Sequence, residues 1–467
     1  MINKMKKSIA FMLLAVMIAT LMSTLTFAES GTITSLGEGK LLPTSETTIE
    51  IDASKGDFAK IEHIALTDNS TKKVVSAEIS CELKNNKLSI TIYPYNNFGQ
   101  NKTYTLKLYT SSNAFAYALK TDAYVNFNDF EIQTRDVVVG MVNTQYSKGG
   151  VIEKYSFRRI EIPANPSKGF YFPYFLEVPV NLSGEFSKHL MVIPNNTSYV
   201  NSAKYVEEIL EKDMYSNRIG INETGALGMP LLIPSFPRPV DQFLYTHMLD
   251  EETLFMTKAQ SDKFNVGNLV GIDKQLTAMV ADAKEQFKSN SHTLNEKIVL
   301  MGFSASSDFV HRYSMIYPET IEAVIHQTTV PVFAISSYKN TTLNFPIGIA
   351  DYKLKFGKEF NLEAFKKIKQ FWYVGSGDHG NILEFRDGFN EKDRNTWANT
   401  FSSDGIKRFE IIKSVYKDYS NIQFHTFNDI AHNVNSVMEV DFIRFLKANL
   451  GKDKLVPINA SKSANFE

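Results

Sequence analysis

The sequence predicts an α/β protein, a mostly parallel β-sheet flanked by helices, preceded by a small all-β domain. Two hydrophobic periods and one local motif carry that expectation. From about Gly31 to Asn128 apolar and polar residues alternate at period two, the spacing of half-buried strands. After about residue 135 short apolar runs alternate with long helical segments over about 300 residues, the pattern of strands that pair in parallel under crossover helices. Inside that second region Lys297–Met301 reads as a strand that enters a tight turn at Gly302-Phe303-Ser304-Ala305-Ser306 and then a helix.

Composition narrows the function classes. The chain has 467 residues, 50 Lys and Arg against 51 Asp and Glu, and is 43% hydrophobic. That is a globular composition, long enough for two or three domains each with its own core. A net charge of −1 lacks the basic surplus that displaces counterions from phosphates, so no nucleic-acid partner is expected. The single cysteine, Cys81, excludes an internal disulfide and any CxxC metal motif, and is expected to be buried core filling.

The N-terminus reads as a leader. Lys4, Lys6 and Lys7 precede an apolar run from Ile9 to about Met22, and Thr26-Phe27-Ala28 offers a small-residue cleavage site. This is the order of a secretory signal peptide over residues 1–28, and it implies a secreted or cell-surface protein. No later segment approaches 18 consecutive apolar residues, so no stable membrane insertion is expected after cleavage.

The period-two region, residues 31–130, places Ile49 with Ile51, Leu88 with Ile90 and Ile92, and Tyr104 with Leu106 and Leu108 on strand faces. Asn85-Asn86 and Asn96-Asn97-Phe98-Gly99 supply turns between them. The stretch from Asn85 to Thr110 resembles the final hairpin of bacterial immunoglobulin-like domains, which implies a sandwich serving as a spacer or binding module.

The second domain spans 135–455. Strands are expected at Phe157–Ile162, Tyr174–Pro179, Leu190–Pro194, Met229–Pro234, Lys297–Met301, Ala323–His326, Gln370–Val374 and Asn421–Phe427. Helices are expected around Tyr205–Leu210, Leu276–Phe287 and Ala305–Tyr317. A last helix opens on the capping box Ser436…Glu439 and stops at Gly451. Reactive groups of such a sheet belong just beyond the carboxyl ends of its strands.

Gly-Phe-Ser-Ala-Ser between strand and helix puts Ser304 on an exposed, strained turn at the positive end of a helix. Small residues two positions to either side, Gly302 and Ser306, let strand and helix pass closely. The motif resembles the nucleophile elbow of the α/β-hydrolase superfamily, with Ser306 where that family has a second glycine; a slightly looser elbow is expected. A serine nucleophile needs a base and the base an orienting acid, and the resemblance implies the chain order Ser, acid, His. The acid position falls on Asp378, after strand Phe371–Val374, and the histidine position on His432, after strand Phe424–Phe427. Asp429, Asp387 and His379 are the competing choices. The resemblance also implies an oxyanion hole formed by the Ala305 N–H and a second donor from the loop after Leu190–Pro194, where Asn195 or Asn196 stands.

Three further assignments concern the substrate. Phe303, Phe236 and Arg238 are candidate binding residues; Arg238 could meet a substrate carboxylate or pair with Asp241 or Asp250. Residues 331–369, rich in aromatics, occupy the usual insertion point for a cap, so they either shape an apolar acyl pocket or form the cap's own small core. The whole region is similar to secreted esterases of the feruloyl-esterase and polyhydroxyalkanoate-depolymerase kind. This implies hydrolysis of a small-molecule or polymer ester through an acyl-enzyme, without a cofactor. A serine peptidase of the same fold and a non-catalytic binding protein with a degenerate hydrolase fold are the alternatives. No HExxH or P-loop is present, so metal and nucleotide chemistry are not expected.

Overall fold

The structure, a computed structural model, describes residues 33–41, 47–58, 61–94, 98, 101–110, 113–121, 124–144, 147–196, 220–239, 246–327, 330–384 and 388–451. The leader at 1–28, the helix expected around Tyr205–Leu210, and Asp241 and Asp387 lie outside these residues. The chain divides into two compact units with the main break between Lys120 and Thr121.

The first unit holds seven strands among the described residues: β1 (Thr34–Lys40), β2 (Thr47–Asp52), β3 (Ile61–Asp68), β4 (Ala77–Lys84), β5 (Lys87–Pro94), β6 (Thr103–Thr110) and β7 (Ala114–Lys120). They form a four-stranded sheet, β1-β7-β6-β3, and a three-stranded sheet, β2-β5-β4. Period two is obeyed: Ile49 and Ile51, Leu88, Ile90 and Ile92, and Tyr104, Leu106 and Leu108 are all buried. Cys81 departs from expectation. It is exposed, because β4 is an edge strand of the smaller sheet with most of its residues open to solvent.

The second unit is an α/β layer. Its sheet contains β8 (Ile132–Thr144), β9 (Ser147–Ile162), β10 (Tyr174–Pro179), β11 (Met191–Val192), β12 (Leu231–Pro234), β13 (Ile298–Gly302), β14 (Ile321–Gln327), β17 (Lys369–Gly375) and β18 (Ile422–Phe427), with a two-residue hairpin β15–β16 (Ser337–Tyr338 and Thr341–Thr342) standing apart. The order is β18-β17-β14-β13-β11-β12-β10-β9-β8. The six strands from β18 to β12 pair in parallel, and β10, β9 and β8 continue antiparallel to the edge. Residues 124–130, expected in the first domain, belong here instead: Phe127 packs on Phe287 and the Val125 N–H donates to Gln286 Oε1 at 3.0 Å.

Among the described residues the helices of seven or more residues are α1 (Ile221–Leu227), α2 (Ile272–Ser289), α3 (Ala305–Ile316), α4 (Glu391–Thr400), α5 (Gly405–Val415) and α6 (Ser436–Leu450). Both faces of the parallel sheet are covered. Ile298, Leu300, Val324 and Trp372 face one cluster with residues of α2 and α3, whereas Val299, Met301, Ile325 and Tyr373 face a second with α1 and α6. A strand buried on both faces must be apolar throughout, which explains the unbroken Ile-Val-Leu-Met of β13. Each such side chain contributes about 1.5–3 kcal/mol on leaving water. At α6 the cap is Asn435, whose side chain accepts from the Val437 and Met438 N–H groups. The expected capping box at Ser436 is therefore displaced by one residue, since an amide oxygen reaches two orphan donors at once.

Residues 331–369 do not form a separate cap over the site. Val332, Phe333, Phe345, Ile347 and Phe365 join the main core beside α3, and the Tyr352 hydroxyl donates to the Met315 carbonyl at 3.1 Å.

Candidate active site

Four neighbouring strands, β13, β14, β17 and β18, end on the same side of the sheet, and each delivers one side chain there. Ser304 follows β13 in the turn into α3, with φ 56° and ψ −129°. A non-glycine residue in that region costs about 1–3 kcal/mol and persists only where its surroundings hold it. The close pass behind it depends on Gly302: a Cβ there would lie 2.3 Å from the Ser306 carbonyl oxygen. Ser306 does not loosen the turn as expected. Its hydroxyl accepts from the Phe303 N–H at 3.1 Å and donates to the Phe303 carbonyl at 2.9 Å, closing the elbow on itself.

His432 and Asp378 meet Ser304 in line. His432 Nε2 is 2.9 Å from Ser304 Oγ, and Nδ1 is 3.0 Å from Asp378 Oδ2. The loop bearing His432 passes tightly over the end of β17. The Gly377 N–H donates to the Ile430 carbonyl at 2.8 Å, and a Cβ on Gly375 would stand 2.3 Å from that same oxygen. The Phe303 ring lies 4.9 Å from the His432 ring. His379 is engaged elsewhere, with Nδ1 2.8 Å from Asp404, and the Asp429 N–H is held by Ser376 Oγ at 2.9 Å.

A cavity of about 120 Å³ opens beside Ser304, with Met248, Val330, Ile382 and Phe389 as apolar lining. Ala305 also lines it, and its N–H, at the first position of α3, finds no acceptor among the described residues. Free N–H groups of a helix's first turn attract negative charge.

The remaining assignments fare differently. Asn195 is buried and clamps the chain rather than facing the cavity: its Nδ2 donates to the Phe236 carbonyl at 2.8 Å and its Oδ1 accepts from the Phe236 N–H at 3.1 Å. Asn196 Nδ2 donates to the Phe303 carbonyl at 3.3 Å, beside the elbow. Phe236, 1% exposed, packs between Phe172 and Phe309 in the core and cannot touch a substrate as expected. Arg238 is half-buried and does not line the cavity; its charge, after burial, helps hold the His247 imidazole down to about 3.

Two residues at the site escaped the sequence reading. Gln327, the last residue of β14, bonds to both Ser304 and Asp378. It stood one residue past the expected end of its strand, and a polar side chain at that sheet position was the available signal. Arg408 is fully buried on the apolar side of α5 and donates to the carbonyls of Ser402, Ser403 and Gly380, stitching the loop after Asp378. Burial brings its guanidinium down to about 10 against the pull of Asp404, Asp378 and Asp308, so it stays cationic at neutral pH. A charged residue inside the buried stripe Gly405, Arg408, Phe409 and Ile412 was its signal. Among the described residues no group of three or more His, Cys, Asp or Glu is placed to hold a metal ion.

Comparison with known proteins finds no matching sequence family and no matching curated protein. Among solved structures the chain is similar to an S-formylglutathione hydrolase from Agrobacterium tumefaciens, at 9% identity and a TM-score of 0.36 over 67% of this chain and 98% of that one. It is also similar to the siderophore hydrolase EstA from Aspergillus nidulans, at 14% identity and 0.33 over 62% and 93%. A carboxylesterase from Bacillus cereus aligns at 9% identity and 0.28 over 62% and 94%. These are likenesses of chain course at low identity.

Proposed function

We propose that the protein is a serine hydrolase that cleaves carboxylic esters through an acyl-enzyme. The observation that carries this reading is the continuous array of Ser304 Oγ, His432 and Asp378, with contacts of 2.9 and 3.0 Å. A hydroxyl is a weak nucleophile until a base takes its proton as it attacks. His432 Nε2 takes that proton while Oγ bonds to the ester carbonyl carbon, and the carbonyl π electrons move onto oxygen. Asp378 accepts from Nδ1–H, which fixes the tautomer and stabilises the imidazolium. The Ala305 N–H meets the oxyanion, a contact of a kind worth about 3 kcal/mol. Collapse of the tetrahedral species breaks the bond to the alkoxy oxygen, which leaves with the proton from His432. Water then enters by the same route: His432 takes its proton, hydroxide adds to the acyl carbon, and Ser304 Oγ departs reprotonated as the acid is released.

The cavity points to a compact acyl group. Its volume of about 120 Å³ is near that of an apolar cavity of ~150 Å³ that accepts benzene. Apolar walls at Met248, Val330, Ile382 and Phe389 favour a hydrocarbon acyl chain.

The test is turnover of p-nitrophenyl acetate and butyrate by the wild type, Ser304→Ala and His432→Ala. Hydrolysis that both substitutions abolish supports the reading. A folded wild type without activity on these esters, or activity surviving Ser304→Ala, contradicts it. Release of p-nitroaniline from an acyl anilide as fast as the ester would favour the peptidase alternative.

A further inference from the structure

The array rests on a fourth side chain. β14 lies between β13 and β17 in the sheet, so its carboxyl end stands between the strand that delivers Ser304 and the strand that delivers Asp378. The residue at that end is Gln327, which is 6% exposed. Its Oε1 accepts from the Ser304 N–H at 3.3 Å, and its Nε2 donates to Asp378 Oδ2. Nε2 also lies 3.3 Å from His432 Nδ1. At its own backbone, the Gln327 carbonyl accepts from the Ser307 hydroxyl, which ties the strand end to the first turn of α3.

The partners fix which end of the amide is which. A backbone N–H only donates, so the atom facing Ser304 is the oxygen; a carboxylate only accepts, so the atom facing Asp378 carries the protons. With Nδ1–H of His432 also directed at Asp378 Oδ2, two donors converge on one carboxylate oxygen. One amide therefore spans the strained nucleophile turn and the acid.

We propose that Gln327 is a positioning residue. Through Oε1 it holds the Ser304 backbone in its strained turn, and through Nε2 it fixes the Asp378 carboxylate and shares its negative charge with His432. This rests on the hydrolase reading of the same site. The Oε1 contact removes the Ser304 N–H from the donors open to an oxyanion. The Nε2 contact has an electrostatic consequence. Without that donor Asp378 acts more strongly on the His432 imidazolium, which moves the acid limb of kcat/KM to higher pH.

The experiment compares wild type, Gln327→Met and Gln327→Glu on p-nitrophenyl acetate from pH 5 to 9, with thermal melts of each. Gln327→Met keeps the length of the side chain and removes both polar ends. Its kcat is expected to fall between tenfold and a hundredfold with KM within about threefold, and its acid limb to move up by half a unit or more. Gln327→Glu restores the donor only while its carboxyl is protonated, so its activity relative to wild type falls as pH rises. Gln327→Met with wild-type kcat and an unmoved acid limb overturns the proposal. If Gln327→Met does not fold, a pH-independent ratio of Gln327→Glu to wild type overturns it instead. Failure of the wild type itself to turn over the ester would sink the hydrolase reading, an outcome separate from either variant's behaviour.

Discussion

Replacing Gly302 with alanine perturbs the site at its tightest point. The added Cβ would meet the Ser306 carbonyl oxygen at 2.3 Å, the Ser306 carbonyl carbon at 2.6 Å and the Ser307 nitrogen at 2.8 Å. All three are backbone atoms, so no side-chain rotation relieves the clash. Ordinary contact begins near 3.4 Å, so the end of β13 and the first turn of α3 must separate by about 1 Å. Overpacking of this kind costs about 1–3 kcal/mol, and the thermal midpoint should fall by several degrees. Ser304 sits between the two moving elements, and its Oγ is 2.9 Å from His432 Nε2. A displacement of about 1 Å there is expected to lower kcat roughly a hundredfold. The assay is ester turnover with a melting curve, alongside Gly184→Ala, whose added Cβ meets nothing within 4 Å. Gly302→Ala within threefold of wild-type kcat and one degree of its midpoint would refute the reasoning about the elbow.

Other consequences can be checked in the same assays. Asp378→Asn should keep the fold and lose on the order of 10⁴ in kcat, because an amide no longer holds His432 in the working tautomer; a loss below tenfold contradicts the acid assignment. Across p-nitrophenyl esters from acetate to decanoate, kcat/KM should peak at short chains, and Phe389→Ala should move the peak to longer ones; a wild-type optimum at decanoate contradicts the cavity argument. Burial holds His311 neutral down to about 4. Between there and the ordinary value near 6.5 the unfolded chain binds a proton that the fold does not, so acidification removes about 3 kcal/mol of stability. His311→Gln should flatten that slope in denaturant melts at pH 7 and 4.5, and an unchanged slope counts against it. Glu223 moves the opposite way: burial, and then the charge of Glu439, push its carboxyl well above the ordinary range. The stability that the protonated form contributes is complete below about 4.5 and is lost as pH rises through the raised value. Glu223→Gln should therefore melt higher than wild type by a margin that grows with pH, and a pH-independent margin would exclude this.

The strands at the site could be read because they are buried on both faces and must be apolar. Tyr174–Pro179 matches β10 at both ends, and β13, β14, β17 and β18 fall within two residues of the expected bounds. Ser304, Asp378 and His432 follow three of those strand ends, which is why their convergence was foreseeable. Gln327 was hidden because the expected strand stopped at His326, which removed the next residue from consideration. The burial of Phe236 and the side-chain contacts of Asn195 are hidden from sequence for a different reason. Loop position placed them near the rim, but sequence does not reveal that Asn195 spends both ends of its amide on Phe236. The aromatics of 331–369 carry the same lesson, since apolar content does not distinguish a pocket wall from a core. Ser306 closes the elbow rather than loosening it, because its hydroxyl finds both of its partners on Phe303.

The central claim is that Ser304 Oγ is an activated nucleophile served by His432. The direct measurement is intact-mass and peptide-mapping analysis after exposure to a fluorophosphonate. A single adduct on the peptide containing Ser304, absent from Ser304→Ala and formed at least a hundredfold more slowly in His432→Ala, is the predicted result. No adduct on folded wild type, or one that forms equally fast without the imidazole, would contradict it.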